Sequence, residues 1–369
     1  MLFESLWIYE KKTENILRDN LTLNLARIKT ASLMIIALLD CRSVQLSKIT
    51  RHFGGKAKID SSFRRLQRFL AELSLPQADI ARLNLKVMEL DKPVTLIFDR
   101  TNWKFGSQHI NILFLCAAFN GLAIPLFFKF LSDKKQGNSS YIDRIELMER
   151  FLETFGKAKI KVILGDREFS GKRWISWLRR KNLPFVMRLS EKLTHISADG
   201  ENFSLASKVF SHLKMGLSKN LGYCFIGKTD SFKACISAKS TIKNNLVVLA
   251  HSHDIKDPAA YYKIRWEIES MFRTLKTGGF NLESTHVTKP DRIENLVAIV
   301  AIAFCFAYRA GMLAIKKFAP KIKKHGYMPK SIIRAGLDLI FETFFAPIER
   351  RKKPHIRYLK PHLLKIFVM

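Results

Sequence analysis

Residues 94–101 read Val94-Thr95-Leu96-Ile97-Phe98-Asp99-Arg100-Thr101, and residues 162–169 read Val162-Ile163-Leu164-Gly165-Asp166-Arg167-Glu168-Phe169. Each is a short apolar run that stops on an aspartate, the pattern of a buried strand ending at a loop. Working outward, residues 110–119 and 122–130 are two more apolar runs separated by polar or glycine-containing turns, so the first three strands form a meander. A helical period over 141–155 precedes the strand at 162–164, and a helix over 172–181 precedes a strand at 185–188. The order β-β-β-α-β-α-β places the chain in the α/β class.

Alone, an aspartate at a strand end is often a turn or cap residue. Two such residues carry more: in a sheet whose first and fourth strands are neighbours, Asp99 and Asp166 lie close enough to share a metal ion and would repel each other without one.

A third carboxylate comes from downstream. After Asp257-Pro258, an N-cap followed by proline, one helical segment is expected to run to Lys276 and stop at Gly278-Gly279. At about 100° per residue, Tyr262, Arg265, Glu269 and Lys276 share one stripe of such a helix. One carboxylate flanked by two cations and a phenol suits a site where Glu269 completes a metal shell, Arg265 and Lys276 grip phosphates, and Tyr262 hydrogen-bonds a nucleic-acid backbone. An exposed helix with incidental ion pairs would show the same residues. Three carboxylates make a hard oxygen site preferred by Mg²⁺ or Mn²⁺, and two such ions about 4 Å apart support in-line phosphoryl transfer. Glu168 and Glu267 are spare carboxylates left outside this set. Trp266 is expected to anchor its helix in the core, and His251-Ser252-His253 reads as a loop.

Upstream, residues 31–39, 44–53 and 61–73 are helical, the last two flanking Gly54-Gly55 in a helix-turn-helix outline. The second of these helices is expected to open after Asp60-Ser61 and to carry Arg64, Arg65 and Arg68 on one face, opposite Phe63, Leu66 and Leu70. That face can enter a major groove, and it equally describes a solvated amphipathic helix. Residues 190–250 are strand-like, broken by Gly, Asn, Asp and Lys, and read as a β-rich insertion. A helix is expected over 291–317.

The spacing Tyr-x2-Arg-x3-Glu-x6-Lys at Tyr262, Arg265, Glu269 and Lys276 resembles the signature of the insertion-sequence-four family of bacterial DDE transposases. Asp99-Arg100-Thr101-Asn102-Trp103 and Asp166-Arg167-Glu168-Phe169 look like that family's two aspartate motifs, and a β-strand insertion before the glutamate is a shared trait. The resemblance covers about residues 30 to 310. It implies an RNase H-like catalytic core, in two parts at 89–190 and 251–318, around an insertion at 191–250. A helical DNA-binding domain (1–88) precedes the core, and a basic C-terminal region (319–369) follows it. It further implies two Mg²⁺ ions, replaceable by Mn²⁺, and catalysis by Asp99, Asp166 and Glu269. The partners implied are double-stranded DNA with terminal inverted repeats and a second copy of the chain in a synaptic dimer. Some hairpin-forming relatives stack a flipped base on a Trp in the insertion. This chain has no Trp between Trp177 and Trp266, leaving Phe203, Phe210, Tyr223, Phe225 or Phe232 as the available ring platforms.

Charge agrees with a polyanionic partner: 63 Lys and Arg face 32 Asp and Glu, a formal net +31. The surplus peaks beyond Lys316. The longest apolar run, 296–308, falls short of the roughly 20 residues of a membrane span and reads as a core helix. Five scattered cysteines fit neither a disulfide framework nor a zinc site, so a cytoplasmic protein is expected. Two other functions fit the same features: a structure-specific nuclease on the same core, and a non-catalytic repressor derived from a transposase.

Overall fold

The computed structural model describes residues 2–53, 57–131, 137–241, 245–319 and 328–367. Five helices come first: α1 (Leu2–Asn20), α2 (Leu25–Cys41), α3 (Leu46–Arg51), α4 (Ile59–Glu72) and α5 (Gln77–Val87). Asn24 caps α2 by accepting from the Arg27 amide. The α4 helix opens earlier than expected, on Lys58, which puts Asp60 in its first turn, where a carboxylate faces the positive end of the helix dipole. The Gly54-Gly55 turn lies outside the described residues.

Ten strands form one sheet in the order β3-β2-β1-β4-β5-β10-β9-β8-β6-β7. The meander of β1 (Val94–Phe105), β2 (Gln108–Phe119) and β3 (Leu122–Phe130) is antiparallel. Helix α6 (Tyr141–Phe155), opened by a Ser140–Asp143 capping box, leads to β4 (Ile160–Gly165), which pairs parallel to β1. Helix α7 (Lys172–Arg180) then returns to β5 (Phe185–Leu189), parallel to β4.

The β-rich stretch comprises β6 (His195–Ser197), β7 (Ser204–Leu205), the short α8 (Ala206–Val209), β8 (Ser218–Ile226), β9 (Phe232–Ser240) and β10 (Leu246–His251). Because β10 pairs antiparallel with β5, these strands extend the central sheet.

Beyond the sheet come α9 (Pro258–Ile264), α10 (Glu267–Arg273), α11 (Pro290–Lys317), α12 (Ile332–Ile340), α13 (Ile348–Arg351) and α14 (Pro354–Ile366). The 28-residue α11 is the spine: it packs on α2, α4, α5, β3, α12 and α14. By length and composition this helix could cross a membrane, which corrects the shorter estimate from its apolar run; 83% of its apolar window is buried inside the protein, as in a core helix. A Cβ on Gly336 would lie 1.8 Å from the Ala307 carbonyl oxygen, and one on Gly311 would lie 1.9 Å from that of Ile332. The backbones of α11 and α12 therefore touch, which only glycine permits. The buried Asn295 amide donates to the carbonyls of Leu70 (3.0 Å) and Leu73 (2.7 Å), tying the end of α4 to α11. The N-terminal helices and the sheet share one apolar cluster.

Candidate active site

The sequence places Asp99 at the end of its strand, and the structure does not: the strand runs on past it. The β1 strand runs on to Phe105 because β2 pairs with it from Leu96 to Phe105, while the parallel pairing with β4 stops at Phe98, opposite Gly165. Asp99 and Asp166 are each one residue past that last pair, so the two carboxylates project side by side where β1 and β4 part. Asp166 caps the short 3₁₀ turn Arg167–Phe169 by accepting from the Glu168 amide at 2.9 Å. Gly165 is crowded: a Cβ there would meet Met187 Sδ and Phe169 Cβ, each at 2.7 Å.

The expected single helix carrying Tyr262, Arg265, Glu269 and Lys276 is not continuous. Helix α9 ends at Ile264, Arg265 and Trp266 form a tight turn with i→i−3 bonds to Tyr262 and Lys263, and α10 runs into a π-helical turn at Thr274–Gly278. The uniform 100° stripe therefore fails, and tertiary contact replaces it. Arg265, 7% exposed, donates from Nη1 to Asp99 Oδ2 at 3.0 Å and from Nη2 to Glu269 Oε1 at 2.6 Å. One planar guanidinium thus clamps two carboxylates, keeping their oxygens within about 8 Å of each other. Lys276 Nζ donates to the Asn102 carbonyl at 2.8 Å and pairs with Glu283 at 3.0 Å. Two of the four side chains, Arg265 and Lys276, therefore reach β1, and Glu269 is linked to it through Arg265. Tyr262 is 7% exposed, and its ring lies 5.7 Å from the Arg265 guanidinium carbon. Its ring therefore packs beside Arg265.

Trp266 also departs from expectation. The break between α9 and α10 turns it outward, and it is 60% exposed beside Arg265 instead of buried in the core.

Burial is the main cause that pushes the Asp99 carboxyl up to about 7, followed by the negative charge of Asp166; Arg265 and the Arg100 amide pull it the other way. Two acids this close, on a site of oxygen donors alone, fit a divalent cation that would relieve their repulsion. Glu269, the third, is half-exposed and held by Arg265. Among the described residues no three acidic, histidine or cysteine side chains are already grouped to hold a metal ion.

Glu168 is the residue that sequence reasoning set aside. It pairs with Arg100 at 2.6 Å and Arg144 at 3.7 Å, and accepts from the Ser139 amide and hydroxyl. Its signal was available: an arginine follows each aspartate, and a carboxylate two residues past Asp166 is placed to hold the first of them. Glu267, the other spare carboxylate, accepts from the Gly121 amide at 2.9 Å. His251 ends β10 and is buried, with Nδ1 donating to the Ser252 carbonyl.

On α4, Arg64, Arg65 and Arg68 are all exposed, opposite buried Leu66, Phe69 and Leu70. They are not equivalent. Arg65 donates twice to Thr30 Oγ1, at 3.1 and 2.8 Å, and so braces α2.

No curated protein matches the chain. The family model of the transposase DDE domain matches residues 90–306, a span that begins just before β1, takes in both aspartates, Glu269 and all ten strands, and ends within α11. With more than half its length matched, and with its acids set on the sheet and helix of that span, the chain belongs to the DDE-domain transposases.

Proposed function

We propose that this transposase cuts the ends of an insertion sequence by metal-dependent phosphoryl transfer and joins the freed 3′ ends to target DNA, with Asp99, Asp166 and Glu269 holding the metal. What supports this most is the side-by-side setting of Asp99 and Asp166 beyond the last paired positions of β1 and β4, with Glu269 linked to Asp99 through one guanidinium. The strand order β3-β2-β1-β4-β5, a meander followed by two parallel strands, favours an RNase H-like core, with residues 1–88 as the end-binding part and residues 191–250 as the insertion.

Bound Mg²⁺, with Mn²⁺ as substitute, supplies an activated hydroxyl and a stabilised leaving oxygen. The protein's own residues do the rest. Asp99 and Asp166 must be ionised to hold the site. Arg265, clamped between Asp99 and Glu269, releases Glu269 for the metal shell by transferring its fork to a DNA phosphate, whose geometry it matches equally well. Lys276 grips a second phosphate beside Asn102. Arg64 and Arg68 bind the terminal repeats, with Arg65 bracing their helix. Two copies act in a synapse, each on one end.

Duplexes carrying the inverted repeats that flank the gene test this directly. Wild type should nick and join them in Mg²⁺, whereas Glu269→Gln should bind them equally and fail to cut. Cleavage by Glu269→Gln at the wild-type rate would sink the assignment, and cutting without joining would indicate a structure-specific nuclease instead.

A further inference from the structure

Beside α4 the surface is hollowed. A cavity of ≈ 320 Å³ is lined by residues of α3, α4 and the segment 286–292. A second hollow, sharing Gln67 and Arg292 with it, continues along Arg64 and Arg68. Four cations therefore face one groove: Arg64 and Arg68 from α4, and Lys289 and Arg292 from the start of α11. Among the described residues no acidic one lines either hollow. Among the described residues none of the four side chains has a hydrogen-bonding or ion-pair partner. Other arginines of the N-terminal helices differ: Arg65 is bonded to Thr30, and Arg82 is paired with Asp79 at 2.8 Å. Four like charges left together without an ion-pair partner raise the protein's own energy, which a polyanion offsets.

We infer that this groove is a composite seat for the phosphate backbone of double-stranded DNA, in which Lys289 and Arg292 from the catalytic part act together with Arg64 and Arg68 from the N-terminal helices. The inference rests on the transposase reading above and adds two residues that the helix-turn-helix outline does not contain. Rigidity favours it, because Asn295, three residues past Arg292, is bonded to the end of α4. Both walls of the groove are thus held at fixed separation. Continuity with the acids favours it too. The segment that leads into the groove begins at Glu283, the partner of Lys276, and carries His286, whose ring lies 5.0 Å from that of Phe105 at the end of β1. Duplex seated in the groove abuts the strand that carries Asp99. Phosphate contact without base readout is the expected mode for Lys289 and Arg292.

Fluorescence anisotropy of the full chain with a mixed-sequence duplex of about 40 base pairs, over a range of salt, tests this. The Lys289→Gln/Arg292→Gln double variant should flatten the slope of log K against log salt by about 2, at about 0.9 for each phosphate no longer neutralised. The Arg64→Gln/Arg68→Gln pair should flatten it equally, and the four together by about twice as much. Lys208→Gln/Lys214→Gln, which removes the same charge from exposed positions in the insertion, should leave the slope as in wild type. Thermal melting confirms that each variant is folded. A wild-type slope for Lys289→Gln/Arg292→Gln, or an equal flattening in the insertion control, overturns the groove. If wild type binds and cuts end-bearing duplexes while the slope is unmoved, the groove alone fails; a wild type that binds no duplex overturns the transposase reading as well. A shift in the monomer–dimer equilibrium with DNA binding intact would make the groove a subunit contact and end the inference.

Discussion

Replacing Asp99 by Asn in metal-free protein should stabilise the fold at alkaline pH and cease to do so in acid. Burial and the Asp166 charge raise the Asp99 carboxyl from 3.8 to about 7. Between those values the folded chain holds a proton that the unfolded chain has released, so rising pH lowers stability through that window. The cost of ionisation is complete above about pH 7 and absent below about pH 4, and at 1.36 kcal/mol per tenfold it amounts to about 4 kcal/mol. The value of about 7 already includes the pull of Arg265, which lies 3.0 Å from Asp99, so asparagine, which cannot ionise, escapes the whole cost. A net gain of up to about 4 kcal/mol is expected at about pH 8, shrinking to nothing at about pH 4. Urea denaturation of both proteins in chelator, across this range, measures it. Mg²⁺ should then invert the order at alkaline pH by stabilising only the wild type. An Asn variant less stable than wild type at pH 8 in chelator, or a difference that does not change with pH, would refute this.

Arg265→Gln leaves Asp99 and Glu269 without their shared cation and should cost about 3–5 kcal/mol in metal-free protein, partly restored by Mg²⁺; equal destabilisation with and without Mg²⁺ would show that the clamp and the metal do not compete. Glu168→Gln deprives Arg100 and Arg144 of their carboxylate and should lower stability by about 3 kcal/mol, read by thermal melting, where an unchanged transition counts against the network. Gly336→Ala sets a methyl against the Ala307 carbonyl and should cost at least about 3 kcal/mol by denaturant titration. A loss under about 1 kcal/mol would mean that α12 can slide on α11.

The alternating and periodic segments were legible because each is decided by its own residues: the expected helix at 141–155 is α6 to the residue, and the strand near 162–164 is β4 with two residues more at its start and one at its end. What was not legible depended on partners. The length of β1 beyond Asp99 is imposed by β2, which lies across a turn from it. The break at Arg265–Trp266 has no proline or glycine to announce it; it exists where Arg265 is drawn onto Asp99, 166 residues away in sequence. For the same reason Trp266, apolar and flanked by helix formers, read as a core residue and is exposed. Arg65 matched Arg64 and Arg68 in charge and face, and only Thr30 on α2 separates its role from theirs. The Tyr-x2-Arg-x3-Glu-x6-Lys spacing drew attention to Arg265 and Glu269, but the clamp that Arg265 forms between Asp99 and Glu269 is a tertiary fact.

Binding of Mn²⁺, followed by electron paramagnetic resonance at about pH 8 in folded wild type, Asp99→Asn, Asp166→Asn and Glu269→Gln, bears most directly on whether these three carboxylates form one metal centre. Wild type should take up the ion, both aspartate variants should lose it, and Glu269→Gln should hold it at least tenfold more weakly. Undiminished uptake by either aspartate variant would contradict a shared site at the parting of β1 and β4.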